Sequence, residues 1–497
     1  MANRVLEAWN GTAVNRRDVP LLPVGEFQQI VGDVVTAGGR VTTMFGSRSD
    51  AGDVVVVAAL ADDPEGKLGL LSTRVADAWP SLTPECPALQ GFEREIWEQF
   101  GVRPEGHPWL KPLRFEATQA PRDATIPAAY PFFAMQGEEV HEVAVGPVHA
   151  GIIEPGHFRF QCHGEHVFHL EIVLGYQHRG MERLLEGGPD KRTIPLAESI
   201  AGDTAVGHMV AHVNAVESLA GCQPPPRALA LRAIALELER LANHVGDLGM
   251  LAGDVGYLPT ASYCGALRAE FLNALAELCG NRFGRGLVAP GGVRFDLAPE
   301  AAERLADRLH DAWERVQSAA DLFFRSPSAR NRTDGTGVVS REQALALGLV
   351  GPAARASGVA RDVRRDHPTG MFRFRHIPAV TGESGDVFAR GWVRLLEAER
   401  SAEFVVSELR HLPRGQVRIA CGPPAPDRMV VSMIEGWRGE IAHVATTGEG
   451  GRFVRYKVKD PSFHNWMGLA MALRDEQISD FPLCNKSFNL SYCGHDL

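Results

Sequence analysis

The chain has 497 residues, and at about 150 residues per domain this length predicts two to four domains with ample cores. The composition, 45% apolar and 23% charged, excludes a disordered or fibrous protein, and the net charge of −10 disfavours a nucleic-acid binder. We find no apolar run of the roughly 18 residues that a membrane-spanning helix needs, so we expect no transmembrane segment. We also find no secretory leader, so we expect a reducing compartment in which the cysteines are thiols.

Residues 1–112 predict a small α/β domain. Strand-like patterns occur in 31–35 and 41–45, an apolar run at 53–61 reads as a buried strand, and Leu71–Ala78 is helix-like. A short charged helix then ends at Gly101, before a His-Pro pair at 107–108. Residues 113–139 are rich in proline and lack periodicity, which predicts an extended linker.

Residues 140–497 predict a mainly α-helical second domain with peripheral β-hairpins, so that the fold class is α+β with two domains. Strand patterns on either side of Gly164 indicate a hairpin within 140–174. The helical periods cover residues 203–220, 227–251, 261–280, 298–325, 340–348 and 386–411. Strand patterns return at 416–422, 428–448 and 452–459, with a Gly-rich turn between the last two.

The eight cysteines show no C-x-x-C pair, so a self-contained metal site built on such pairs is disfavoured. Most of them are expected to be small buried hydrophobes. Cys493 is the exception, because it lies in a polar and aromatic C-terminal segment, residues 480–497. The composition of this segment indicates that it docks onto the fold.

Histidines and charge runs supply further candidates. His178 and Arg179 lie between a strand and a helix, where such a pair can bind an anion or shuttle a proton. His208 and His212 share a helical face, which suits either a metal or, without an accompanying HExxH glutamate, interface packing. The helical charges at 237–247 are expected to be solvated or internally paired, and those of 354–368 to face solvent.

Several of these segments resemble one known family. Residues 91–108, GFEREIWEQFGVRPEGHP, resemble the 30-kDa (C-type) subunit of complex I. The 49-kDa (D-type) subunit, or hydrogenase large subunit, is matched by VGPVHAGIIEPGHF, GYQHRGMERL, ELERLANH, APGGVR, IEGWRGE and YKVKDPSF. The chain is thus similar to fused C/D-type complex I subunits and to the large subunits of group 4 membrane-bound [NiFe] hydrogenases, such as those of formate hydrogenlyase and hydrogenase-4.

This resemblance implies a loss at the metal. Hydrogenases of the family hold nickel and iron with four thiolates, because soft anionic sulfur suits both metals. The corresponding positions here are Ala201, Thr204, Ser491 and Gly494, and Cys493 lies one residue out of register. We therefore expect no NiFe centre, no metal and no cofactor held by this chain.

The resemblance also implies a quinone site, with a departure. D-type subunits grip a quinone headgroup with a His, matched by His149, and with a Tyr whose position falls on Gly202 beside Asp203. Tyr492 or Asp203 is the candidate proton donor in place of that Tyr. The proposed catalytic residues are Tyr492, Asp203, His149 and Glu154, and the surrounding cavity is expected to include His157, His178, Arg179, His208, Arg438 and Cys493.

The implied protein is a peripheral core subunit on the cytoplasmic face of the inner membrane. It would take electrons from a B-type iron-sulfur small subunit, adjoin H-type and antiporter-type membrane subunits, and pass electrons to quinone or another small acceptor with coupled ion translocation. The alternatives are a catalytically silent scaffold and, less favoured, an active NiFe hydrogenase. A filled or an open cavity is the observation that bears on this choice.

Overall fold

A computed structural model describes residues 4–49, 51–116 and 131–497, so that most of the predicted linker lies outside the described residues. The N-terminal part is built on a sheet in the order β1-β6-β5-β4, with β3 parallel to β6. Helices α1 and α2 cover its apolar face, and the short strands β7 and β8 pair in parallel. The elements are β1 (Leu6–Trp9), β2 (Val14–Asn15), β3 (Leu21–Leu22), α1 (Val24–Thr36), β4 (Arg40–Arg48), β5 (Val54–Asp62), β6 (Lys67–Val75), β7 (Ala78–Pro80), α2 (Gln90–Phe100) and β8 (Arg103–Glu105).

Two local predictions in this part are wrong, and each for a physical reason. Residues 31–35 lie in α1 rather than in a strand, because Phe27 and Val31 bury one helical face at four-residue spacing. Leu71–Ala78 falls mainly in β6, an inner strand whose neighbouring Leu70 and Leu71 are both buried, so that the alternation typical of a strand is hidden. The strands at 41–45 and 53–61, and the helix that ends at a left-handed Gly101, are confirmed.

The second part is mainly helical, as predicted. Its long helices α5, α6, α7, α8 and α13 pack around one large apolar core. The helices are α3 (Met181–Leu185), α4 (Thr193–Glu198), α5 (Ala205–Ala220), α6 (Pro226–Asp254), α7 (Leu258–Cys279), α8 (Pro299–Phe324), α9 (Pro327–Thr333), α10 (Arg341–Ala346), α11 (Gly351–Ala356), α12 (Val363–Asp366), α13 (Val387–Arg410), α14 (Ser462–Ala472), α15 (Phe481–Phe488) and α16 (Tyr492–Asp496).

The strands of this part form three sheets. One is the sheet β11-β10-β9, one the pair β12-β13, and one the order β16-β15-β14-β2. The last sheet is interior rather than peripheral, since nearly all residues of β14, β15 and β16 are buried. The predicted strand at 416–422 is wrong, because only an isolated bridge from Arg418 to Gly292 forms there. The strands are β9 (Val140–Val145), β10 (His157–His163), β11 (His166–Val173), β12 (Val288–Ala289), β13 (Gly292–Val293), β14 (Arg428–Gly436), β15 (Gly439–Thr447) and β16 (Phe453–Lys459).

Most charged residues of both runs are buried, which corrects the expectation of a solvated surface for 354–368, where Arg365 is the exposed member. Arg355 is fully buried and pairs with Glu397 at 2.7 Å and with Glu435 at 2.8 Å. Arg364 joins Glu237 of α6 at 2.9 Å, so that the two runs face each other and pair internally. A buried charge is tolerated when partners of opposite sign surround it.

The chain termini tie the two parts together. Strand β2, near the N-terminus, pairs with β14 of the interior sheet. At the other end α16 is buried, and the carbonyl of Leu497 accepts hydrogen bonds from the backbone of Arg179 and Met181. The docking predicted for the C-terminal segment is therefore confirmed.

Candidate functional site

The tight turn between β14 and β15 places an arginine beside the segment that precedes α5. Arg438 donates through Nη1 and Nη2 to the two carboxylate oxygens of Asp203, each at 2.6 Å. Trp437 donates through Nε1 to the Asp203 carbonyl and to Thr204 Oγ1, and its ring lies 3.9 Å from the Arg438 guanidinium carbon. Burial opposes ionisation of Asp203, but the charge of Arg438 outweighs it and lowers the pKa of Asp203.

The same arginine reaches the C-terminal segment, where Asp460 takes up space beside α16. Arg438 Nε donates to the carbonyl of Asn489 at 2.5 Å. Ser491 caps α16 by accepting from the Gly494 N–H at 2.9 Å. A β-carbon built on Gly494 would lie 2.6 Å from Cγ and Oδ2 of Asp460, so the Asp460 carboxylate stands where a side chain at position 494 would begin.

Glu154, Tyr492 and Cys493 meet at the start of α16. The Glu154 carboxylate accepts from the N–H of Tyr492 at 3.3 Å and from that of Cys493 at 3.5 Å. The Tyr492 ring packs edge-on against Trp466, and burial raises the pKa of Tyr492 to about 12. Burial likewise raises the pKa of Cys493 to about 11, so its thiol is protonated at neutral pH.

His149 and His157 lie in or beside the loop between β9 and β10. His149 Nε2 lies 2.9 Å from the Gly156 carbonyl, and His157 Nδ1 lies 3.3 Å from the Gly146 carbonyl. The loop adjoins Tyr492, because a β-carbon on Gly156 would lie 2.5 Å from that ring. Its tip is apolar and exposed, with Val148 77% and Ile152 87% accessible.

His178 and Arg179 hold backbone, and His178 also lines a cavity of about 510 Å³ together with Glu182 and Arg455. His178 Nδ1 lies 2.8 Å from the Asp496 carbonyl. Arg179 donates to the carbonyls of Ser199, Ile200 and Cys493 at 2.7, 2.8 and 3.2 Å. These two residues therefore fasten the C-terminal segment to the segment before α5.

His208 is fully buried and begins a chain of side chains that the sequence did not indicate. Its Nε2 lies 3.1 Å from Asp460 Oδ2, and its Nδ1 lies 3.1 Å from His443 Nε2. His443 Nδ1 lies 2.9 Å from the Tyr456 hydroxyl, which lies 2.8 Å from His212 Nδ1. His208 and His212 thus pack at the interface between α5 and the strands β15 and β16, where they belong to a row of hydrogen-bonded side chains.

The candidate residues do not line one open cavity. Contacts bring Asp203 and Arg438 against the C-terminal segment, and Glu154 against Tyr492 and Cys493 within that segment. His149 and His157 lie in or beside the adjacent loop, whereas His178 and Arg179 contact backbone carbonyls of the C-terminal segment and of the segment before α5. Asp460, His443 and Tyr456 were missed, because their neighbours in space are remote along the chain.

Comparisons with known proteins place the chain in a family. Residues 254–423 match the model of the respiratory-chain NADH dehydrogenase 49-kDa subunit, and residues 43–123 that of the 30-kDa subunit. The chain is 30% identical to formate hydrogenlyase subunit 5 of Escherichia coli, over 92% of this chain and 84% of the relative. The chain belongs to the complex I 30-kDa/49-kDa and hydrogenase large-subunit family.

Other relatives span both branches of the family. Hydrogenase-4 component G of Escherichia coli is 29% identical over 91% of this chain and 83% of its own length. NADH-quinone oxidoreductase subunit 4 of Thermus thermophilus is 31% identical over 69% of this chain and 90% of its own length. At the level of the complex, the family comprises oxidoreductase subunits.

The four residues that the resemblance predicts at the thiolate positions of hydrogenases do not fit a nickel-iron centre. Ala201 and Gly494 carry no ligand atom, and the hydroxyls of Thr204 and Ser491 are engaged with Trp437 and with the Gly494 N–H. Within residues 4–49, 51–116 and 131–497, no group of three or more His, Cys, Asp or Glu side chains is arranged to hold a metal ion.

Across these same ranges, no helix is both long and apolar enough to cross a bilayer.

Proposed function

We propose that this chain is a peripheral core subunit of a membrane-bound complex I-like oxidoreductase that delivers electrons to quinone or another small acceptor without a NiFe centre. The observation that carries the proposal is the Arg438–Asp203 ion pair, which contacts Thr204, while the Asp460 carboxylate contacts Gly494; the resemblance predicts both of these residues at thiolate positions. The Arg438 guanidinium and the Asp203 carboxylate satisfy each other there, and none of the four residues at these positions supplies the soft anionic sulfur that nickel and iron prefer.

The loop that bears His149 supports a quinone-type acceptor. An apolar quinone ring needs apolar contacts with a few polar groups for its carbonyls, which suits a loop that exposes Val148 and Ile152 next to an imidazole. The names of several relatives specify NADH-quinone oxidoreductase, which agrees with an acceptor of this class.

The electrostatics favour Tyr492 over Asp203 as the proton donor. Paired with Arg438, Asp203 has a lowered pKa and is ionised at neutral pH, so it has no proton to give. The Tyr492 phenol keeps its proton, because burial raises its pKa to about 12. It would donate as charge develops on a reduced acceptor, with Glu154 fixing its backbone.

The remaining parts of the proposal concern the assembly. The electrons would come from a B-type iron-sulfur subunit, and H-type and antiporter-type membrane subunits would couple the reaction to ion movement. The chain would sit at the cytoplasmic face of the membrane. Relatives named as membrane-bound hydrogenase and hydrogenase-4 components agree with such an assembly.

The test uses the intact complex purified from its native membrane. We expect no nickel by metal mass spectrometry, and electron transfer from reduced methyl viologen to decylubiquinone. His149→Ala should lower that rate by about 100-fold, because it removes the imidazole that positions the acceptor. His163→Ala, at the exposed β10–β11 turn, is the matched control and should leave it unchanged. Nickel near one atom per chain would overturn the proposal.

A silent scaffold is the second candidate, favoured by the filled space around Arg438 and Trp437. It predicts a complex that assembles with this subunit but transfers no electrons to decylubiquinone above a sample that lacks the subunit. It also predicts identical rates for the His149→Ala and His163→Ala complexes.

A further inference from the structure

A line of five buried polar side chains crosses the interior from α5 to the end of β16. In order they are Asp460, His208, His443, Tyr456 and His212, and each is at most 2% exposed. Successive polar atoms lie 3.1, 3.1, 2.9 and 2.8 Å apart. Hydrogen bonds of this length without a gap form a path along which protons can move by exchange.

The anion at one end determines the direction of every hydrogen bond. Asp460 also accepts from the Ser462 N–H, and the His208 hydrogen bond and the charge of Arg438 overcome its burial and lower its pKa. An ionised Asp460 requires a proton on His208 Nε2. In neutral His208 the Nδ1 atom then accepts from His443 Nε2–H, which leaves His443 Nδ1 to accept from the Tyr456 hydroxyl. The Tyr456 oxygen in turn accepts from His212 Nδ1–H.

We propose that these five side chains form a proton relay. The relay delivers protons from His212 to Asp460, at the position where the resemblance puts the family's last thiolate. This inference rests on the proposed function, because it supplies the protons that reduction of a quinone-type acceptor consumes. It assigns roles to His443, Tyr456 and Asp460 beyond that proposal.

The transfer balances one proton in against one proton out. A proton binds His212 Nε2, and His212 passes its Nδ1 proton to the Tyr456 oxygen. The Tyr456 hydroxyl proton moves to His443 Nδ1, and the His443 Nε2 proton moves to His208 Nδ1. His208 is then an imidazolium beside the Asp460 carboxylate, and its Nε2 proton leaves through Asp460 Oδ2.

Position supports delivery to the candidate site rather than elsewhere. Asp460 Oδ2 faces His208 on one side and the α-carbon of Gly494 on the other, where only the absence of a side chain leaves room for it. Gly494 lies in α16 two residues beyond Tyr492, the proposed donor to the acceptor. The relay thus ends against α16, the helix that begins at Tyr492.

The test removes one atom from the middle of the relay in the intact complex. Tyr456→Phe keeps the ring but deletes the hydroxyl, and Tyr257→Phe, outside the relay, is the matched control. With reduced methyl viologen and decylubiquinone we expect an approximately 100-fold lower rate and a larger solvent deuterium isotope effect for Tyr456→Phe alone. A Tyr456→Phe complex that assembles with the wild-type rate and isotope effect overturns the relay.

A second measurement separates failure of the relay from failure of the proposed function. If the wild-type complex reduces no quinone, the proposed function fails, and the relay is judged on nitrogen-15 spectra of the labelled histidines. The relay predicts protonated Nε2 on His208 and His443 and protonated Nδ1 on His212, all three changing together as pH falls. Tautomers that change independently overturn it.

Discussion

At the scale of the residue, burial turns ordinary side chains into specialised ones. Glu440 is buried between Arg40 and Lys459, with oxygen-to-nitrogen distances of 2.6 Å to each. Burial would raise its pKa, but the two cations outweigh burial and lower it to about 2. The same balance keeps Asp203 and Asp460 ionised.

The Glu440 shift predicts a specific loss of stability in acid. Because its folded pKa lies below the unfolded value of about 4.5, Glu440 stabilises the fold above pH 4.5 and ceases to do so as pH falls towards 2. We expect about 2 kcal/mol of this stability to vanish from about pH 5 to about pH 3. Urea unfolding at these pH values measures how steeply the free energy of unfolding falls with pH. This slope should be smaller for Glu440→Gln, whereas Glu65→Gln, at an exposed position, should keep the wild-type slope. Equal slopes would contradict the assignment.

At the scale of the element, close backbone contacts aim the arginine at the site. Gly351 begins α11 with a φ of 66°, and a β-carbon there would lie 2.0 Å from the Arg438 carbonyl oxygen. Gly439, the next residue of the turn, contacts Gly351 in the same way. The β14–β15 turn is therefore seated directly on the start of α11, and this contact orients Arg438.

Gly351→Ala should accordingly displace the turn as well as strain the backbone. We expect a loss of more than about 2 kcal/mol in the free energy of unfolding, since the clash is with backbone that cannot rotate away. Gly221→Ala is the matched control, because Gly221 has a φ of 62° but open space around it, and should cost about 1 kcal/mol. Denaturant melts of both variants measure the difference, and similar losses would exclude the clash.

At the scale of the whole molecule, buried ion pairs join the two parts. Lys457 of β16 contacts Glu95 of α2 at 2.6 Å and Glu182 of α3 at 2.9 Å. Arg114, just before the undescribed segment, also pairs with Glu95 and donates to the His495 carbonyl at 2.8 Å. The N-terminal part thus reaches both the interior sheet and the C-terminal segment.

Lys457→Met should weaken this junction strongly. It leaves Glu95 and Glu182 buried without their shared cation, and we expect a loss of about 3 to 5 kcal/mol in the free energy of unfolding. Lys67→Met, which removes a lysine from an exposed pair with Glu7, should have little effect. Calorimetry should also show the N-terminal part melting earlier in Lys457→Met, and a single unchanged transition would argue against the junction.

The sequence by itself determined the family, the order of the elements and the absence of thiolates at Ala201, Thr204, Ser491 and Gly494. These features are local, since a motif or a helical period is complete within a few turns of chain. Where the local signal was ambiguous, as in β6 with its buried faces, the prediction was wrong.

Only the tertiary structure decided which charges are buried and which side chains contact Thr204 and Gly494. The local sequence predicted that Arg355 and Arg364 face solvent. In the fold they are buried, because α6, α13 and β14 supply carboxylate partners. His208 and Asp460 are 252 residues apart, and no spacing rule links them. The free energy of a buried charge depends on its neighbours in space, which the fold supplies and the local sequence does not contain.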